Sequence, residues 1–189
     1  MLLAILIPII IIVLIILIIL IAGIYIYNDI ITLRNQVDNN WSQVNVQLRK
    51  RYDLIPNLVE TVKGYASHEK ETLQKVIQAR KMGIDAKTVE EQSKAENMIT
   101  DTLKSLFALT EQYPDLKADQ HFSQLFGQLN DIEDKIAGAR QLYNDSILRY
   151  NNRIQTFPGN LFANRFNFED RQYFEIEEPE ARGPVRVSF

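Results

Sequence analysis

The sequence predicts an all-α protein in which a single N-terminal transmembrane helix leads into an antiparallel, up-and-down four-helix bundle with long helices and an irregular C-terminal tail. Three observations predict it. Met1 to Asn28 carry no charged side chain, and Leu2 to Ile26 are almost unbroken Ile, Leu and Val. After them, apolar residues recur every three or four positions, the period of a helix, and no strand-like alternation competes. Proline and glycine then punctuate the chain at intervals that leave four segments of helical length. The resulting organisation is an anchor over residues 1–27, a helical bundle over 28–157 and an aromatic, then acidic, tail over 158–189.

The apolar segment is long enough to cross a bilayer. A hydrocarbon core about 30 Å thick needs roughly 20 apolar residues at about 1.5 Å each. A cleavable signal peptide would open with basic residues and carry a shorter apolar run, whereas this chain has no Lys or Arg before Arg34. The anchor is therefore expected to be retained. The absence of cysteine excludes disulfides, thiol catalysis, cysteine metal sites and a lipoprotein signal. The span holds no Asp, Glu, Lys, Arg, His, Asn or Gln, the side chains that mark ion and proton pathways, which argues against transport. Tyr25 and Tyr27 suit the membrane interface, and the weak excess of basic residues after the span leans the domain toward the cytoplasmic side.

The first stripe of the soluble part is Leu33, Val37, Trp41, Val44 and Leu48. A second runs Leu58 or Val59, Val62, Ala66, Leu73, Val76 and Ile77, and a third Val89, Ala95, Ile99, Leu103, Leu106, Leu109 and Tyr113. The clearest is the last, in which Phe122, Leu125, Leu129, Ile132, Ile136, Ala139, Tyr143, Ile147, Tyr150 and Ile154 alternate steps of three and four. With breaks at Pro56, Gly83, Pro114 and Pro158-Gly159, the helices are expected over 28–52, 56–82, 87–113 and 118–155. Short connections between such helices favour an up-and-down bundle. Because the apolar period runs through Pro56 without a phase jump, an alternative stays open: a first helix that only kinks at Pro56 and breaks near Gly64 or Ser67.

In an up-down bundle the fourth helix returns to the membrane, so Phe157 is expected near Asn28. The tail beyond it carries Phe157, Leu161, Phe162, Phe166, Phe168, Tyr173 and Phe174, interleaved with Arg165 and Arg171. These residues either cover the open end of the bundle or form a contact with lipid or with a partner protein. Glu175 to Phe189, acidic and proline-containing, reads as a flexible or partner-ordered end. Asn28, Asn144 and Asn151 are candidates for fixing helix register: antiparallel packing brings Asn28 and Asn151 to one level, where a buried amide pair needs hydrogen bonds. Arg49, Lys50 and Arg51 are charged surface candidates whose default is a solvated helix face.

Enzymatic constellations fail on spacing. His68-Glu69 lacks the second histidine of a zincin, since position 72 is Thr, and neither His68 nor His121 has a Glu three residues before it as a bundle di-metal site requires. No cofactor, metal or small-molecule substrate is expected. A net charge of −3 without a basic stripe argues against nucleic acid.

Several strings resemble the LemA family. They are Tyr27-Asn28 at the end of the span, the stretch Trp41 to Arg51, Tyr52-Asp53-Leu54-Ile55-Pro56-Asn57-Leu58-Val59, Val62-Lys63-Gly64-Tyr65-Ala66 with His68-Glu69, and Ala79-Arg80. Tyr143-Asn144, Tyr150-Asn151 and Phe157-Pro158 resemble its closing segment, followed by Phe166 and Tyr173-Phe174. The resemblance covers almost the whole chain and implies a bacterial, membrane-anchored antiparallel helical bundle. It brings no reaction. Relatives occur beside membrane zinc metallopeptidases, and some take part in magnetosome formation.

The expected function is accordingly that of a non-enzymatic, single-pass scaffold or adaptor in the bacterial inner membrane, which organises other membrane proteins and forms homo-oligomers. The alternatives are a lipid-surface-binding or membrane-remodelling protein that uses the aromatic tail, and a regulatory partner of a membrane metallopeptidase.

Overall fold

A computed structural model describes residues 2–175 and is helical throughout, with no strand among the described residues. Six helices follow in order: α1 Leu2–Tyr65, α2 Lys70–Asp85, α3 Val89–Thr110, α4 Pro114–Ala118, α5 Gln120–Gln155 and α6 Gly159–Phe166. The acidic end expected beyond Glu175 lies outside the described residues.

Helix α1 is 64 residues long and corrects the expected division at Pro56. The apolar period continues through the proline because the helix does, and the break falls at residues 66–69, as in the alternative reading. Proline lacks the N–H that would bond the carbonyl four residues earlier, here that of Tyr52. Arg80, on α2, supplies the missing donor: its Nε bonds the Tyr52 carbonyl oxygen at 2.7 Å. Arg80→Ala should therefore leave an orphaned carbonyl inside the fold and cost about 1–3 kcal/mol. Adding Pro56→Ala, which restores the helical N–H, should return most of that loss; a double-mutant cycle by urea denaturation measures it. Strict additivity of the two changes would contradict the assignment.

Other boundaries have local causes. Thr88 caps α3 through a reciprocal capping box with Glu91, and Pro114 occupies the first turn of α4, where its missing N–H costs nothing. Asp119 accepts from the Phe122 N–H at 2.7 Å at the start of α5. Gly83, expected to break the second helix, lies inside α2 instead. A Cβ there would stand 2.5 Å from the Tyr52 hydroxyl, so the residue admits a close approach rather than a turn.

The described residues group into two compact units, Met1–Asn40 with Asp145–Arg171, and Trp41–Asn144 with the described part of Gln172–Phe189. In the second, α1, α2, α3 and α5 all contribute buried residues, among them Leu48, Ile55, Leu58 and Val62, Val76 and Ala79, Ile99 and Leu106, and Leu129 and Ile136. Contacts from α1 run from Trp41 to Tyr143 and from Arg51 to Glu133 of α5, and from Tyr65 to Asp119 just before it, numbers rising along one segment as they fall along the other, so the two are antiparallel. In the first unit Ile30, Val37, Ile147, Tyr150 and Ile154 form the buried seam between α1 and the end of α5. The aliphatic residues of α1 from Ile9 to Ile21, in contrast, are about half exposed or more, and among the described residues one helix, α1, is long and apolar enough to cross a membrane.

Candidate functional site

Three arrangements stand out: a buried ionic knot in the second unit, a pair of asparagine clamps on the chain after α6, and an aromatic cluster against α1 in the first unit.

The knot is centred on Arg51, whose side chain is 1% exposed. Its Nη1 donates to Glu96 Oε2 at 2.8 Å and its Nη2 to Thr100 Oγ1 at 3.1 Å. Its Nε lies 2.9 Å from Glu133 Oε1, a charge contact without the alignment of a hydrogen bond. The Tyr52 hydroxyl donates to the other oxygen of Glu96, and Gln92 Nε2 donates to both the Tyr52 oxygen and Glu96. Burial raises the Glu96 carboxyl above its ordinary range, against the pull of Arg51. The same desolvation raises Glu133, and Tyr52 is raised by burial and by the adjacent Glu96 charge. Each charge inside has a partner, which is the condition under which a low-dielectric interior tolerates it. Arg51 and Glu96 are closed off from solvent, so the knot ties α1, α3 and α5 together and presents no surface to a ligand.

The clamps use asparagine amides to grip a backbone. In the first unit Asn151 donates to the Arg171 carbonyl at 3.0 Å and accepts from the Arg171 N–H at 2.9 Å. In the second unit Asn144 does the same to Phe174, at 3.1 and 2.9 Å, while the Tyr143 hydroxyl donates to the Gln172 carbonyl. An amide side chain offers the same donor and acceptor pair as a neighbouring strand would, so residues with no secondary structure of their own have their polar groups satisfied. Phe174, held this way, is 1% exposed and packs 5.6 Å from the Trp41 ring.

In the first unit α6 lies along α1. Phe162 faces Gly23, where a Cβ would stand 3.4 Å from the ring. Tyr27 meets Phe166 edge-on at 4.9 Å and Phe168 at 5.9 Å. The guanidinium of Arg34 lies 5.8 Å over the Phe168 ring. Just along α1, Asp29 pairs with Arg153 of α5 at 2.6 Å. Asn167 closes α6 in the left-handed conformation that asparagine tolerates, and the Phe168 N–H bonds the Ala163 carbonyl. Phe157, Leu161 and Phe166 remain 78%, 58% and 50% exposed.

A profile described as the LemA family matches residues 40–189. The chain belongs to the LemA family. It is 27% identical over 157 residues to Protein LemA of Metamycoplasma hominis, covering 81% of this chain and 70% of that protein. It is 25% identical over 185 residues to magnetosome protein MamQ of Magnetospirillum gryphiswaldense, covering 84% and 68%, and a MamQ protein of Paramagnetospirillum magneticum matches at the same identity.

Residues that carry the LemA resemblance fall into the knot and the clamps rather than into a cleft. Arg51, Tyr52, Pro56 and Arg80 meet around one turn of α1, and Tyr143, Asn144 and Asn151 hold the chain after α6. Three site expectations change as a result. Arg49 and Lys50 are exposed as expected of a charged surface, but Arg51 is buried, because Glu96, Thr100 and Glu133 replace its water. Phe174 is core rather than contact surface, whereas Tyr173 beside it is exposed. The register pair Asn28 with Asn151 does not form: Asn28 is exposed, and Asn151 spends its amide on Arg171. Arg153, which pairs with Asp29, lies four residues, about one turn, before Phe157. Glu96, Gln92, Glu133 and Arg80 were not singled out as site residues. Their one sequence signal was Gln92 and Glu96 lying four apart on the buried side of the third stripe.

Proposed function

We propose that this LemA-family chain is a non-enzymatic, single-pass scaffold or adaptor, anchored in the bacterial inner membrane by the apolar part of α1 and displaying an antiparallel four-helix bundle to other membrane proteins. The observation that carries this reading is the continuity of α1. The same helix that is exposed and aliphatic from Ile9 to Ile21 supplies Val44, Leu48, Ile55, Leu58 and Val62 to a folded core, with no break between. The chain therefore passes from the apolar segment into the folded core as one helix, with no separate linker sequence. The ionic groups brought together in the fold are consumed in holding helices, which supports a structural role over a catalytic one. Relatives named as magnetosome proteins support a place among the components of a bacterial assembly. The partners are further copies of the chain and other integral membrane proteins, with a membrane metallopeptidase among those to be looked for.

Crosslinking the full-length protein in intact membranes, followed by mass spectrometry of the adducts, tests the proposal. Adducts to itself or to a small set of membrane proteins are expected. Recovery of only uncrosslinked monomer, with photoactivatable groups placed in turn on each exposed helix face, would contradict a scaffold.

A further inference from the structure

We propose that α6 and the turn before it form an interfacial foot, which inserts the side chains of Phe157 and Leu161 into the lipid leaflet from which α1 emerges. The depth follows from covalent geometry. Asp29 is the first charged residue of the chain, and Gly23 lies six residues before it, about 9 Å along the helix. Phe162 sits on Gly23, and Phe166 sits on Tyr27, so α6 lies against the last turns of the apolar run and not beside the charged turns that follow. An element at that level of a spanning helix is in the headgroup and acyl boundary, the region amphipathic helices occupy.

The side-chain pattern of α6 fits that position. Phe162 and Phe166 turn toward α1, and Leu161 and Arg165, four residues apart, share another face. Phe157, two residues before the helix, is 78% exposed, and Tyr25 on α1 is 72% exposed. Phe157 and Leu161 belong to an element that packs on α1 at Gly23 and Tyr27, next in sequence to the exposed aliphatic residues Ile18 to Ile24. Arg165, whose guanidinium lies 5.9 Å over the Phe166 ring, supplies a long cationic side chain that can lie along apolar surface with its head in the phosphate layer. A Cβ at position 23 would meet the Phe162 ring at ordinary van der Waals distance, so only a side chain extending well beyond Cβ, such as leucine, would push the ring away.

The foot rests on the anchor reading, and the experiment separates the two. The chain has one tryptophan, Trp41. In a Trp41→Phe background, single reporters Leu14→Trp, Phe157→Trp and Ile84→Trp are introduced into the full-length chain. Each is reconstituted in phosphatidylcholine and phosphatidylglycerol vesicles and quenched either by brominated acyl chains or by aqueous iodide. The foot predicts strong bromolipid quenching at 14 and 157 and severalfold weaker iodide quenching at 157 than at 84. Bromolipid quenching at 14 with iodide quenching at 157 equal to that at 84 overturns the foot alone, and loss of bromolipid quenching at both 14 and 157 overturns foot and anchor together. Adding Gly23→Leu should move the reporter at 157 toward iodide; no change there would show that α6 does not owe its depth to packing on α1, and would overturn the proposed docking.

Discussion

Arg51→Met should destabilise the folded domain by about 3–5 kcal/mol, because it leaves the buried Glu96 carboxylate without its compensating charge. Removing both partners, as Arg51→Met with Glu96→Leu, should recover a large part of that loss, since the desolvation of each charge disappears with the charge itself. Denaturant unfolding of the three variants in detergent measures both numbers. The knot also predicts a pH dependence. Burial raises the folded-state value of Glu96 above the ordinary 4.5, and Glu133 is raised in the same direction. Above about pH 4.5 the unfolded chain releases protons that the folded chain still holds, so the folded state binds more of them and stability falls as pH climbs through the raised value. Below that window the contribution is fully present. Glu96→Gln should flatten this part of the profile; an unchanged slope would place the titration elsewhere.

The second large effect is expected at Phe174. Phe174→Ala should cost about 3–5 kcal/mol, the usual loss for emptying a buried aromatic site, because its ring is 1% exposed and packs with Trp41. The fluorescence of Trp41 should shift to longer wavelength as water enters. The neighbouring Tyr173→Ala, at a residue 39% exposed, is the control and should leave both stability and emission nearly unchanged. Equal effects at the two positions would mean that the chain beyond α6 does not dock through Phe174.

These two positions show where the sequence was readable and where it was not. The apolar stripes were legible because burial on a helix follows its period: Val37, Val44 and Leu48, or Leu129, Ile132 and Ile136, are buried at the spacing that marks them. Helix continuity at Pro56 was not decidable from local rules, because the donor that repairs the ladder, Arg80, stands on another helix, 28 residues from the Tyr52 carbonyl it bonds. Arg51 was misleading for a related reason. In a run of three basic residues nothing local says which is solvated, and only the facing Glu96 and Thr100 draw one of them inside. Phe174 resembled its exposed neighbours in the tail, and the feature that distinguishes it is an asparagine on α5, thirty residues away, that fixes its backbone. The clamps themselves had a visible trace: Tyr143-Asn144 and Tyr150-Asn151 recur seven residues apart. Their repetition signalled a shared role, while the partner expected for Asn151, Asn28, was the wrong one.

We propose that the apolar segment of α1 is a retained membrane span that runs on into the folded domain. Alkaline carbonate extraction of membranes from cells producing the full-length chain, with intact-mass measurement of the recovered protein, tests it most directly. The account predicts that the protein stays with the lipid pellet and carries the mass of a chain that retains residues 1–27. Recovery in the supernatant, or a mass showing that those residues have been removed, would contradict it.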